Sequence, residues 1–266
     1  MSAIYVKSIG LAAPGLQGWQ ASLEVLRGER PWQSEEMPKY APAVLPANER
    51  RRATRVARLA FQAAEDAVGA ADAETLKNIA AVFASSGGDT EVLNGICGTL
   101  ALPDRPVSPT HFHNSVHNAA AGYWSIATGS RLPSTALSAH DGSFVAGMME
   151  AFSMAMTEQL TVLLVTYDLV PPQPLHAKRP LSDSFASALL LSADADGALA
   201  RLELRLLNGA AGEPAVMSDP GLETLRLGNP AARSLPLLAG IARQQASTII
   251  IPGLQGERVL LDMTPC

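Results

Sequence analysis

Apolar and polar positions along this chain follow two periods. Ala3 to Leu11 carries Ile4, Val6 and Ile9 in a β-favouring context, and Gly10 and Pro14-Gly15 close it, which predicts a first strand. Trp19 to Arg27 places Trp19, Leu23 and Leu26 at helical spacing, and Gly28 ends that helix. Pro31, Pro38, Pro42 and Pro46 then mark an ordered surface loop. Asn48 is positioned to cap a long helix running to about Ala70, with Val56, Leu59, Ala60, Ala63 and Ala67 on one apolar face. Asn78 to Ser85 is a continuous apolar run stopped by Ser86-Gly87-Gly88, as in a strand buried on both faces.

The same alternation continues. Helices are expected over Glu91–Leu100, over Val116–Thr128 (entered through Asn114 or Ser115), and over Ser143–Thr157 with Phe144, Met148, Ala151, Phe152 and Ala155 inward. Strands are expected at Ser134–Ser138, Leu160–Tyr167, Ser184–Leu191 and Ala200–Leu207, the last alternating through Leu202, Leu204 and Leu206. Residues 208–230 are rich in Gly, Pro and Asn and read as a linker. A helix from about Ala231 to Gln245 and strands at Thr248–Ile251 and Arg258–Met263 finish the chain. Strands alternating with helices predict an α/β layered fold.

Composition narrows the function classes. The 266 residues are 47% hydrophobic and 17% charged, enough for one large domain or two small ones with a substantial core. Net charge is −5. Arg50, Arg51, Arg52, Arg55 and Arg58 are interleaved with apolar residues and read as a solvated helix face, so no nucleic-acid partner is expected. Two cysteines, Cys97 and Cys266, make no disulfide framework and fit a reducing cytoplasm. There is no signal-peptide pattern at Met1–Lys7 and no apolar span of about 20 residues, so no membrane span is expected.

Several residue groups invite a chemical reading. His111, His113 and His117 form H-x-H-x3-H, a zinc-like spacing that lacks a nearby Cys, Asp or Glu as fourth ligand, so no metal is expected. Ser85-Ser-Gly-Gly-Asp89 lacks the G-K-[ST] of a phosphate loop and reads as a strand-to-helix turn. Cys97 reads as a small buried thiol on a helix. His140, Asp141 and Ser143 are triad residue types, but neighbours on one short turn cannot form a Ser–His–Asp relay. No motif implies a cofactor.

One stretch orders these pieces. Asn118-Ala-Ala-Ala-Gly122 opens a helix after a loop. Gly129-Ser-Arg-Leu-Pro133-Ser134 forms a G-x-x-G-P-S-like turn. A strand, an elbow at Asp141-Gly142-Ser143, a helix and a strand ending at Thr166-Tyr167-Asp168 follow. In this order and spacing the segment resembles the β-ketoacyl synthases of the thiolase-like fold. Gly10, Trp19, Leu23 and Gly28 fit that family's opening strand and helix, and the resemblance covers about the first 190 residues.

The resemblance implies an α/β/α thiolase-like fold whose N-terminal half is complete and whose C-terminal half is strongly truncated. It divides the chain into a ketosynthase-like domain over 1–200 and a remnant of the second half over 201–266. Counted without a gap from Pro133, the family's nucleophilic cysteine falls on Asp141, and a one-residue shift puts it on His140. Neither residue forms a transferable thioester, which needs a thiolate. The family's two catalytic histidines lie in its second half, and no histidine follows Leu191 here. A relative without this machinery resembles the chain length factors of type II polyketide systems, in a short form similar to those of aryl polyene biosynthesis. That implies no catalysis by the chain alone, a heterodimer with an active ketosynthase, and contact with acyl carrier protein through the complex. It also implies tunnel-facing residues at His111, Phe112, Ser115 and Val116, with Phe112, Val116 and Tyr123 as apolar walls. Ser134, Thr135, Ala136, Leu137 and Ser138 become the strand paired across the dimer axis. The truncated second half is expected to leave an apolar face for the partner. Two alternatives stand beside this: a stand-alone acyl-transfer or hydrolytic enzyme using Asp141, His140 or Ser143, and a scaffold that recruits acyl carrier protein.

Overall fold

The computed structural model describes residues 3–207, 212–253 and 256–266. Its elements are strand β1 (Ile4–Ala13), strand β2 (Leu16–Gln17), helix α1 (Trp19–Arg27), helix α2 (Ala47–Arg52), helix α3 (Arg55–Val68), helix α4 (Ala73–Lys77), strand β3 (Ile79–Ala84), helix α5 (Thr90–Leu100), helix α6 (Pro109–Asn114) and helix α7 (Ala119–Thr128). They continue as strand β4 (Ser134–Leu137), helix α8 (Ser143–Thr157), strand β5 (Thr161–Asp168), helix α9 (Leu175–Lys178), strand β6 (Phe185–Ser192), strand β7 (Ala200–Leu207), helix α10 (Pro220–Gly228), helix α11 (Leu235–Arg243), strand β8 (Ser247–Pro252) and strand β9 (Arg258–Pro265).

The strands form one sheet in the order β4-β3-β5-β6-β1-β7-β9-β8, with β2 paired to β1. β3 runs parallel to β4 and β5, and the other neighbours are antiparallel. The central strands are the most apolar: every residue of β3 is buried, and all of β5 after Thr161. Helices lie on both faces. One face carries α1, α8, α10 and α11, joined through Leu26, Phe144, Met148, Leu225 and Leu238. The other carries α3 and α7, joined through Phe61, Ala63, Ala67, Tyr123 and Trp124. Three layers result, as the alternating pattern predicts.

Some expected elements are shaped differently. The single helix expected from Asn48 to Ala70 is two helices. Ala53 turns extended (ψ 125), and Thr54 restarts the chain as the N-cap of α3, its hydroxyl accepting from the Ala57 amide. The helix expected from Val116 begins at Ala119, because Pro109 starts a separate short helix, α6, just before it. The expected helix from Ala231 opens with a 3-10 turn over Ala231–Ser234 before α11. α9 interrupts the loop expected after Pro174.

Residues 208–211 of the expected linker lie outside the described residues, but 220–228 form α10. Asp219 caps it through the amides of Gly221 and Leu222 (both 2.9 Å), and Pro220 occupies the first turn. The other carboxylate oxygen of Asp219 accepts the Trp32 amide at 3.1 Å, tying the proline-rich loop to this helix. Asp219→Ala is expected to cost about 2 kcal/mol, since it removes a cap and strands a part-buried amide. Thermal unfolding should then start some 4–8 °C lower, at about 2–4 °C per kcal/mol for a chain near this size.

The apolar face expected beyond residue 200 is present only in part, at exposed Leu206. Beyond residue 200, Leu202, Val259, Leu261, Met263, Ile249 and Ile251 turn to the α11 side and are buried. The residues alternating with them are Arg201, Glu203, Arg205, Thr248 and Asp262, together with Ile250 and Leu260, and the charged ones are paired. Arg205 and Thr248 both bond to Asp262, and Arg201 pairs with Glu203 at 2.5 Å. Charged side chains on the unhelical side of an edge region keep it solvated. Five further exposed large apolar side chains lie along α5, α6 and the turns beside them: Leu93, Leu100, Leu102, Phe112 and Val116.

Candidate functional site

The chain turns from β4 into α8 at residues 138–143, and this corner is the elbow of the sequence pattern. His140 there has φ 50, a left-handed conformation that is uncommon outside glycine. Asp141, the position reached by ungapped counting, is the middle residue of the 3-10 turn His140–Gly142. The strained residue at the corner is therefore His140, and strain of this kind concentrates at functional sites. Ser143 holds the corner shut. Its hydroxyl accepts the Ala139 amide (3.0 Å) and donates to the His140 carbonyl (2.7 Å), and the residue is buried. That hydroxyl is committed to backbone and does not face an imidazole.

Both His140 and Asp141 are open to solvent, with side chains 65% and 53% exposed. The Asp141 carboxylate accepts from Arg179, just beyond α9, at 2.5 Å, and His140 Nδ1 lies 3.6 Å from the same oxygen. Partial burial pushes the Asp141 carboxyl up. The Arg179 hydrogen bond and charge, with His140 and Arg233 beside it, outweigh that and hold it below the usual carboxylate range. A carboxylate kept ionised by arginine is a poor proton donor and a poor acyl acceptor. A cleft of about 290 Å³ adjoins the corner, lined by Ala139, Gly142, Val145, Ala146, Met149, Leu206 and Val259 among others. Arg179 has no signature in sequence; it reaches Asp141 from a position 38 residues on.

The stretch His111–Asn118 lies beside the turn that follows β3. His111, Phe112, Ser115 and Val116 are all exposed, Phe112 by 72%. Tyr123 is not a wall of anything outside the chain: it is 2% exposed, and its hydroxyl donates to Asn114 Oδ1 at 2.9 Å. Buried Asn114 in turn donates to the Arg52 and Thr110 carbonyls, so α6 is tied to α2 and α7. The three histidines go to three neighbours. His117 Nε2 meets the Ser85 carbonyl at 3.1 Å, His113 stands edge-on to Tyr123, and His111 lies beside Gly95. Among the described residues no group of three His, Cys, Asp or Glu is placed to share a metal ion. Cys97 is exposed on α5, against the buried thiol expected, and Cys266 is exposed at the last position.

β4, the expected dimer strand, forms one end of the sheet. It pairs with β3 through Ser134–Leu137, and its other edge has no strand partner among the described residues. Its end is joined to the interior by a second connection. Ser138 donates to the Ser86 carbonyl, and Ser85 and Ser86 donate to the buried carboxylate of Asp168 at the end of β5. No helix of the described residues is long and apolar enough to cross a membrane.

Comparison with known proteins agrees with this architecture. No curated protein sequence matches the chain. Among solved structures, the ketosynthase ApeO in complex with its chain length factor ApeC from Xenorhabdus doucetiae contains a chain of the same fold. It superposes with a TM-score of 0.71 at 24% identity, covering 98% of this chain and 100% of that one. The ishigamide ketosynthase/chain length factor gives 0.72 at 12% identity, covering 99% of each chain. The AntDE:AntF structure, a type II PKS acyl-carrier protein in complex with its ketosynthase, gives 0.75 at 14% identity, covering 100% of this chain and 99% of that one. The fold is thus the thiolase-like fold of the ketosynthases, at full length against these neighbours. Residues 23–225 match the family described as Beta-ketoacyl synthase, N-terminal domain, and the chain belongs to that family.

Proposed function

We propose that this chain is a non-catalytic subunit of the chain length factor type, which pairs with an active ketosynthase and helps shape the tunnel holding the growing acyl chain. The observation that carries the proposal is the elbow. It keeps the strand–corner–helix form of a nucleophile site, yet its exposed residues are His140 and Asp141. Acyl transfer there would give an acyl-imidazole or a mixed anhydride, neither a useful resting carrier, whereas a cysteine thiolate gives a thioester. Both cysteines lie elsewhere, on α5 and at residue 266.

The partner surface is the one formed by the exposed apolar side chains of 93–116 and the free edge of β4. Apolar residues gathered on one surface mark an interaction site. An obligate interface of this kind buries on the order of 2,000 Å² or more. His111, Phe112, Ser115 and Val116 face the partner's acyl tunnel, and Ser134–Ser138 pairs across the dimer axis. Two of the structural neighbours are ketosynthase and chain length factor complexes. We assign the chain to the aryl polyene type of system, with acyl carrier protein reached through the complex.

Co-expression with a ketosynthase carrying an intact Cys and two His should yield a 1:1 complex that elongates acyl thioesters, while this chain alone turns over none. A stable monomer that binds no ketosynthase sinks the proposal. So does acyl-thioester turnover by the isolated chain that Asp141→Ala abolishes, since that is the behaviour of a stand-alone enzyme.

A further inference from the structure

We propose that Asp168 is a positioning residue: through Ser85, Ser86 and His117 it fixes the stretch His111–Asn118 against the ends of β3, β4 and β5. The inference rests on the reading of that stretch as the partner-facing surface, but the placement itself is a property of this chain.

The connections are short and run both ways. Asp168 is 3% exposed, and its Oδ1 accepts from Ser85 Oγ (3.0 Å), Ser86 N (2.8 Å) and Ser86 Oγ (2.8 Å). Those donors belong to the turn between β3 and α5. Ser85 Oγ also accepts the Gly88 amide at 2.9 Å, so the carboxylate organises the whole turn. The carbonyls of the same two serines face the other way. Ser138, just beyond β4, donates to that of Ser86 at 3.1 Å. His117 meets that of Ser85 at 3.1 Å, and because a carbonyl only accepts, His117 carries its proton on Nε2. Gly88 makes this approach possible: at φ 58, a Cβ there would lie 3.2 Å from His117 Cδ2. The Asp168 carbonyl is held in turn by the Asn229 amide at 3.2 Å.

Charge matters to this device. Three hydrogen bonds aimed at one oxygen favour an ionised carboxylate, and charge-assisted bonds are the stronger kind. Burial opposes ionisation and dominates, so the Asp168 carboxyl is pushed up to about 6, with the Ser86, Ser85 and Gly87 donors pulling it down. The other titratable groups here are Tyr167 on β5, Asp89 at the start of α5, and His117. Asp168 is the group on whose charge the hold on the turn depends. Stability moves the other way. The folded chain binds this proton more tightly than the unfolded one, so the contribution is greatest below 3.8 and is lost as pH rises to about 6.

The experiment is amide hydrogen exchange on the full chain, comparing wild type with Asp168→Asn, which keeps shape and removes the charge. At pH 7.5 the variant should exchange about tenfold faster at 85–88 and 111–118 and unchanged in the core strands. The pH dependence of the wild-type melting temperature between pH 4 and 6 should be flatter in the variant, which has no carboxyl to titrate there. His117→Ala should loosen 111–118 to the same extent, and the double variant no further, because the two act in one chain of contacts. Unchanged exchange at 111–118 in Asp168→Asn, or equal loosening throughout the molecule, overturns the inference. A loosened 111–118 in a chain that binds no ketosynthase upholds the positioning role and fails the partner reading instead.

Discussion

Replacing Phe112 and Val116 together by aspartate is expected to remove the complex with a ketosynthase while leaving the subunit folded. Both side chains stand out from the chain, 72% and 52% exposed, so they contribute little to its own core. Surface changes of this kind usually alter stability by no more than about 0.5 kcal/mol, and the melting temperature should stay within about 2 °C. At an interface the same two side chains would each bury roughly 1.5–3 kcal/mol of apolar surface. The substituted carboxylates would lose that and leave two charges desolvated without partners, which costs more again. A loss of at least 100-fold in affinity follows, since about 1.4 kcal/mol is tenfold. Size-exclusion or pull-down of the co-expressed pair reads this directly. Leu227→Asp, an equally exposed leucine on α10, is the control and should leave the complex intact. A pair that still co-purifies with both aspartates in place would move the partner surface away from α6.

The free edge of β4 and the apolar residues of 93–116 give that surface its logic. A four-residue strand with one open edge offers backbone donors and acceptors to another chain. The far end of the sheet does not compete: the Ile250 carbonyl on edge strand β8 already accepts the Ala215 amide, and the bare face nearby is ion-paired. The apolar face expected beyond residue 200 is reduced for a local reason. Leu202, Leu204 and Leu206 announce one apolar face, which is buried at Leu202 and open at Leu206, and the arginines and acids between them make the other face largely polar.

What could be read in advance depended on whether its cause was local. β3 and β5 were legible because strands buried on both faces show unbroken apolar runs. The end of α1 was legible because Gly28 takes φ 83. α10 was missed although Asp219-Pro220 carries a cap and a first-turn proline; the surrounding Gly, Pro and Asn outweighed that signal. At the site, the loss of a thiol was plain from Ala139-His-Asp-Gly142. That His140 holds the strained backbone, and that Arg179 neutralises Asp141, depends on the turn of the chain and on a loop from further along. The link between Asp168 and Ser85 joins positions 83 apart, and no sequence period reports it.

Gly10→Val is expected to have the largest effect on stability of any single change considered, because the obstacle is backbone. Gly10 sits mid-strand in β1, opposite Ala188 of β6, under α3. A Cβ added there would lie 1.9 Å from the Ala63 carbonyl oxygen and 2.6 Å from the Ala67 nitrogen. No rotamer change relieves such a clash; the helix or the strand must move. The helix is pinned. Asp66 accepts the amides of Leu11 (3.0 Å) and Trp19 (2.7 Å), and Ser8 donates to the Ala67 carbonyl at 2.6 Å. The alanines facing the strand, Ala60, Ala63, Ala64 and Ala67, are small and buried, so the layers meet at the closest spacing the backbone allows. Overpacking costs typically about 1–3 kcal/mol where side chains can give way. Here they cannot, and about 4 kcal/mol or more is expected, the exceptional range for one substitution. Melting should fall by at least about 8 °C, or the protein should fail to accumulate. Gly98→Ala on α5 is the counter-test: nothing lies within 4 Å of its added Cβ, and a helical alanine should raise stability by up to about 1 kcal/mol. A Gly10→Val protein that melts like wild type would mean that α3 can lift off β1, and with it the Asp66 contacts that join the first strand to the first helix.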